Sequence, residues 1–325
     1  GVLDIEADIA PFIAVELHKK YSPVVRIGPN AVDLDLPEMI NTIYDTRGEY
    51  ATEFYHASSA LINGKVVYNT FSETDPVRHK KDRKYVAKFY SPAATTAMEP
   101  LMDNVINQLC QELEKRFLDC PTGPEVFDLG DWLKYYTYDV VGTVTFSRPI
   151  GYLEHGYDFT GVLANGLERD DYLAFVGTMP FLDYFLAKNP LIQLGPPGFN
   201  AIGQIAAKRV EDRYLGRDGE YHNPDNPDHL DKFIEVKKEN PEVDDNKVIS
   251  WVMNSLLAGS ETTTVTLQCA FYYSLRNPRI WDTLTNEVLS AGLPMPVSYK
   301  DTLRLPYVHA VVREALRFLP TLPMA

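Results

Sequence analysis

The chain of 325 residues is long enough for two average domains or one large helical one, and its 45% apolar content is that of an ordinary globular core. With 31 basic against 45 acidic residues the net charge is −14, which disfavours nucleic acid as a partner because phosphate binding needs a broad basic surface. Cys110, Cys120 and Cys269 form neither a Cys-x-x-Cys pair nor an even framework, so reduced thiols in an intracellular setting are expected.

Val24-Val25-Arg26-Ile27 and Ala31-Val32-Asp33-Leu34-Asp35 alternate on either side of Gly28-Pro29-Asn30, the pattern of a β-hairpin. Beyond this hairpin the chain has mostly helical period. Asp75-Pro76 places an N-cap acid before a proline at the first helical position and opens a helix expected to reach about Tyr90, where Ser91-Pro92 ends it. Further helices are expected at roughly 95–118, 130–146, 160–175, 199–215 and 228–239. Gly195-Pro196-Pro197-Gly198 breaks the run, and 216–228 reads as a polar loop. From about Asp245 to Arg276 the helical pattern persists for roughly 48 Å at ~1.5 Å per residue, until Asn277-Pro278 stops it. A helix of that length crosses a whole domain, so it is expected to be central. Two shorter helices come after it, near 278–291 and 305–319. There is no internal repeat, and 1–325 reads as a single domain, mainly α with a small β-sheet.

The sequence has no run apolar enough to span a bilayer and no signal peptide. It opens at Gly1, in helix-like sequence and without a methionine, which leaves a preceding anchor open.

Three features can carry chemistry. In the middle of the long helix stands Ala258-Gly259-Ser260-Glu261-Thr262-Thr263. A glycine there costs about 1 kcal/mol against alanine and leaves room for something to approach the backbone. Thr262 can bond back to a carbonyl one turn earlier and open a polar notch, with Glu261 beside it. The same hexapeptide also reads as a polar stripe on an amphipathic helix. Glu314-Ala315-Leu316-Arg317 puts two opposite charges three residues apart, a spacing that surface ion pairs share. His79 and Arg83 lie one turn apart and can grip a pair of carboxylates, while Lys80, Lys84 and Lys88 form an adjoining basic stripe; an ordinary solvated face has the same pattern.

In this order and spacing the three features resemble the cytochrome P450 family, across residues 24–319. Pro23-Val24-Val25-Arg26-Ile27-Gly28-Pro29-Asn30, Asp128-Leu129-Gly130-Asp131-Trp132-Leu133 and Val144-Thr145-Phe146-Ser147 are similar to the fungal branch of pisatin demethylase. The resemblance implies a P450 fold and a haem-dependent monooxygenase that inserts one atom of O2 into a small apolar substrate, in fungal secondary or xenobiotic metabolism. It implies heme b as cofactor, with NADPH electrons arriving through a partner reductase. Glu261 and Thr262 would relay protons, Gly259 would leave space for oxygen, His79 and Arg83 would bind the haem propionates, and Glu314 with Arg317 would brace the core. The lysines at 80, 84 and 88 would dock the reductase. The complete protein would sit on the cytoplasmic face of the endoplasmic reticulum through an anchor outside this sequence.

One part of the family pattern is missing. The axial cysteine belongs in a Phe-x-x-Gly-x-x-x-Cys-x-Gly loop well after the Glu-x-x-Arg helix, and none of the three cysteines stands in such a loop. Cys269 stands two turns past Thr262 and reads as a packing residue. No metal ligand can be assigned, since the seven histidines include no pair at i+3 or i+4. The expectation is therefore a fragment incomplete at both ends and inactive unaided. The alternatives are a short helical binding or scaffold protein, and an isomerase-like haem protein, which the Glu261-Thr262 pair disfavours.

Overall fold

Strand β1 (Val24–Gly28) pairs antiparallel with β2 (Ala31–Leu34), Val24 facing Leu34 and Val25 facing Asp33, as the alternation predicts. The computed structural model describes residues 13–28, 31–44, 54–119, 125–189, 191, 194, 195 and 198–319, so Pro29 and Asn30 of the expected turn and Pro196-Pro197 of the expected break lie outside the described residues. A second hairpin, β3 (Ala60–Ile62) with β4 (Lys65–Val67), turns through Asn63 and Gly64, both at positive φ. The Asn-Gly dipeptide favours such a turn. Strands of three residues, however, are too short to show alternation in sequence. The described strands thus form two separate two-stranded sheets.

Asp75 caps helix α1 (Pro76–Val86) by accepting from the backbone N–H groups of Val77 and Arg78. Beyond Val86 the chain tightens into a 3-10 turn over Ala87–Tyr90. The helix expected at 95–118 is divided: a short turn at Pro92–Thr96, then α2 (Glu99–Leu113), then a π-helical stretch at Glu114–Leu118. Asp128 caps α3 (Leu129–Phe146). Helix α4 (Gly166–Thr178) starts later than expected. The Asp158 carboxylate accepts from the N–H groups of Thr160, Gly161 and Ala164, and Gly161 adopts positive φ, so these residues form turns instead of a first helical turn.

The remaining long helices fall where their period places them: α5 (Gly198–Tyr214), α6 (His229–Glu239), α7 (Asp245–Leu275), α8 (Pro278–Ser290) and α9 (Pro306–Phe318). Helix α7 is central and packs against α3, α5, α6, α8 and α9. Trp251, Leu256, Phe233, Tyr138 and Ile202 form the middle of the largest core cluster. The α3–α7 contact is close. The Thr137 and Thr264 hydroxyls stand 2.6 Å apart, and a Cβ on Gly259 would lie 3.0 Å from Val141 Cγ2. Among the described residues no helix is long and apolar enough to cross a membrane.

Candidate active site

Mid-way along α7, Ser260 and Thr264 turn inward, while Ala258, Gly259 and Thr263 are exposed. The helix therefore has one packed face and one open face at this level. Its hydroxyls bond back along the helix: Thr262 Oγ1 donates to the Ala258 carbonyl at 2.8 Å and Thr263 Oγ1 to that of Gly259 at 2.9 Å. Such back-bonds compete with the helical ladder and make a polar notch. Gly259 has a packing role the sequence did not reveal, because its missing Cβ is what lets Val141 approach.

Both oxygens of Glu261 are engaged by other helices. The Tyr138 hydroxyl, from α3, donates to Oε1 at 2.7 Å, and Arg169 Nη2, from α4, donates to Oε2. Arg169 also bonds Asp170 Oδ1 through Nε and Nη2, at 3.2 and 3.1 Å. Its side chain is 2% exposed, and Nη1 has no acceptor among the described residues. Burial works against the guanidinium charge, but the Glu261 carboxylate overcomes it and raises the Arg169 pKa. Burial also pushes the Tyr138 phenol well above its ordinary range, and Glu261 adds to the effect. Gly166 opens α4 beside the acid, where a Cβ would come within 3.2 Å of Oε1. Among the described residues no hydrogen bond joins Glu261 to Thr262.

On α1, His79 is half-buried and Arg83 exposed, and neither has an ion-pair partner among the described residues. Asp82, between them in sequence, is buried: Lys247 Nζ lies 2.9 Å away and Trp251 Nε1 donates to it at 3.3 Å. Burial raises the Asp82 pKa and Lys247 opposes it. The Tyr85 hydroxyl donates to Glu242 at 2.7 Å, and Lys81 pairs with the same acid at 3.1 Å. Helix α1 is thereby fastened to α7 and to the turn before it. Lys80, Lys84 and Lys88 are all exposed, but the expected i, i+4, i+8 stripe is α-helical only as far as Lys84. Lys88 lies in the 3-10 turn, its ammonium over the Phe89 ring.

On α9, Arg317 grips Glu314 with two bonds, Nε to Oε2 at 2.7 Å and Nη2 to Oε1 at 2.6 Å. Both side chains are about two-thirds exposed, at 67% and 62%. A model of the cytochrome P450 family matches residues 4–325. The chain belongs to the cytochrome P450 family. It is 36% identical over 311 residues to the cytochrome P450 monooxygenase cfoH of Aspergillus candidus, a match covering 95% of this chain and 57% of that protein. It is 32% identical to cicH of Emericella nidulans, covering 96% and 63%, and 33% identical to pkfB of the same organism, covering 94% and 60%. The chain thus spans about three fifths of the length of these curated relatives.

Within this P450 chain Cys269 is the packing residue expected, 5% exposed, with its thiol directed at the Ala315 carbonyl. Cys110 is exposed on α2, and Cys120 lies outside the described residues. No group of three or more His, Cys, Asp or Glu among the described residues can hold a metal ion. Arg169, Tyr138 and Gly166 were not foreseen as site residues. Arg169 lies in Glu168-Arg169-Asp170-Asp171, which looks like a solvated helix start, and its partner is 92 residues away.

Proposed function

We propose that the protein carrying this chain is a haem-dependent monooxygenase that inserts one oxygen atom of O2 into an apolar organic substrate, in fungal secondary or xenobiotic metabolism. The observation that carries this reading is the exposed Thr262 hydroxyl on the central helix with the Glu261 carboxylate next to it in sequence, in a chain of the P450 family. The residues fit a haem. Ala258 and Gly259 leave the α7 backbone exposed, and His79 with Arg83 offers nitrogen donors not committed to any described carboxylate, so they are free for propionates. Neither Cys110 nor Cys269 fits as the axial ligand, so no thiolate is assigned here. When bound, heme b of the cysteine-ligated P450 type supplies the electron density that favours O–O cleavage.

The chain's own residues handle protons and position. Thr262 would turn its hydroxyl from the Ala258 carbonyl toward the open face and give up a proton there; Glu261, released from a donor and protonated by solvent water, would return one. The Glu314-Arg317 pair, exposed among the described residues, braces the core of the complete protein. A cavity of about 460 Å³ lies where residues 59–63, Ala187, Lys188 and Gly195 meet Gly203 and Gln204 of α5 and Met253 of α7, and its mixed wall can take an apolar substrate with a few polar groups. Electrons arrive from NADPH through a flavoprotein reductase docked on Lys80, Lys84 and Lys88, at the cytoplasmic face of the endoplasmic reticulum.

The test is the carbon monoxide difference spectrum of the reduced full-length protein, followed by turnover of Thr262→Ala. A thiolate-type Soret band is expected, with more peroxide released per product in the variant. A protein without that band, or a variant as tightly coupled as the wild type, refutes the reading.

A further inference from the structure

We propose that Arg148 and Arg209 form a binding site for a phosphate group, where the end of α3, helix α5 and the loop after α5 meet. Neither arginine belongs to the relay, to the haem contacts or to the lining of the cavity, so the site is independent of the monooxygenase reading.

Arg209 and Arg213 stand one turn apart on α5 and have opposite surroundings. Arg213 takes three carboxylates: Asp218, Asp228 at 2.7 Å and Asp231 at 2.5 Å. Neither Arg209 nor Arg148 has an ion pair or a side-chain hydrogen bond among the described residues, although both are half-buried. Each guanidinium rests instead on an aromatic ring. That of Arg209 lies 5.1 Å from the centre of the Phe146 ring, and that of Arg148 lies 4.4 Å from the centre of the Tyr221 ring. Phe146 ends α3, and Arg148 follows two residues later. Ser147, between them, donates to Asp228 at 2.7 Å, the acid that Arg213 also holds. This shared acid fastens the three elements together beside the two arginines.

The acids whose charges reach Arg209 are engaged by other cations. Lys208 lies 3.3 Å from Asp212, and Arg213 grips Asp218. Burial lowers the Arg209 pKa and the Arg148 charge adds to it, against the pull of Asp212, Tyr221 and Asp218. A ring under a guanidinium covers its face and leaves its edge, with the N–H donors, open to an acceptor. Two such edges call for an anion that accepts from several N–H groups at once. A carboxylate would cancel one of the two charges. A free phosphate or a phosphate monoester, with about two negative charges at neutral pH, cancels both.

The experiment titrates the full-length protein with inorganic phosphate and, separately, with a soluble short-chain phosphatidic acid, at an ionic strength held constant with chloride. Binding is read from thermal unfolding and from amide hydrogen exchange over residues 217–228. The wild type is expected to gain a few degrees, and exchange in the loop to slow several-fold. Arg209→Gln and Arg148→Gln should each weaken binding by about tenfold or more, as the loss of a charged hydrogen bond does. Arg148→Gln reports even if Arg209→Gln does not fold. Arg304→Gln, at a surface arginine paired with Asp301, should bind as the wild type does. Free phosphate as effective as the lipid supports a site for phosphate itself, and a response to the lipid alone supports a headgroup site, provided the two substitutions abolish it. No response to either probe, or a response equal in the wild type and both Arg→Gln variants, overturns the proposal.

Discussion

His229 lies between the rings of Tyr90 and Phe233, with centroids 4.9 and 6.0 Å away, and neither ring nitrogen has a side-chain partner there. Burial, with the Lys232 charge adding to it, lowers its pKa to about 4. The unfolded chain takes up this proton near the ordinary value of about 6.5, so the folded form is favoured above that pH and loses ground as pH falls toward about 4. The loss between about pH 7 and about pH 5 should be roughly 2 kcal/mol. In His229→Phe that limb should flatten, as denaturant midpoints at the two pH values will show. An equal pH dependence in wild type and variant contradicts the assignment. Two glycines make a second contrast at this scale. A methyl on Gly142 would sit 2.9 Å from the Arg148 carbonyl, which is backbone, whereas on Gly259 it meets a Val141 methyl at 3.0 Å. Both changes gain up to about 1 kcal/mol of helix propensity, but only the valine can move aside. Gly142→Ala should therefore destabilise by roughly 1–2 kcal/mol, with Gly259→Ala near neutral in thermal melts. Gly259 also marks what the sequence could not disclose. Its pattern suggested space for a ligand, and the crossing of α3 gives the missing side chain a second reason.

At the scale of elements, the sequence was most informative where a cap and a long period coincide. Asp75-Pro76 starts α1, and Asn277-Pro278 separates α7 from α8, within a residue or two of expectation, because a cap and a proline act on near neighbours. The β3–β4 hairpin and the late start of α4 went unread, since one depends on three-residue strands and the other on a single carboxylate, Asp158, drawing three N–H groups into turns. The link between α1 and α7 was equally hidden. Asp82 looked like part of a charged run, yet it is buried against Trp251 and Lys247. Since burial outweighs Lys247 in setting its pKa, the ion pair itself contributes little net stability. Asp82→Asn should then cost less than about 1 kcal/mol. Asp82→Ala strands the Trp251 N–H in the core and should cost about 2–3 kcal/mol. Chemical denaturation followed by tryptophan fluorescence separates the two. Equal losses would mean that the charge, and not the acceptor, holds the helices together.

Across the whole molecule the charge distribution matters more than its sum. A net −14 should repel an acidic flavoprotein, so productive approach depends on a local basic surface. Under the proposed function that surface is assigned to the helix bearing His79 and Arg83, where Lys80 and Lys84 stand one turn apart and exposed. Lys88 is past the α-helical register and leans over Phe89. The three lysines should therefore contribute unequally to reductase docking. Reversal of Lys80 and Lys84 to glutamate should slow reductase-supported turnover at low salt more than Lys88→Glu does. The difference should shrink as ionic strength rises past about 0.1 M, where the Debye length falls to ~10 Å. Stopped-flow reduction measured over a salt series tests this directly. A wild-type rate indifferent to salt, or reduction unchanged by reversal at all three positions, would place the reductase on another face of the molecule; equal slowing at all three would overturn the unequal ranking.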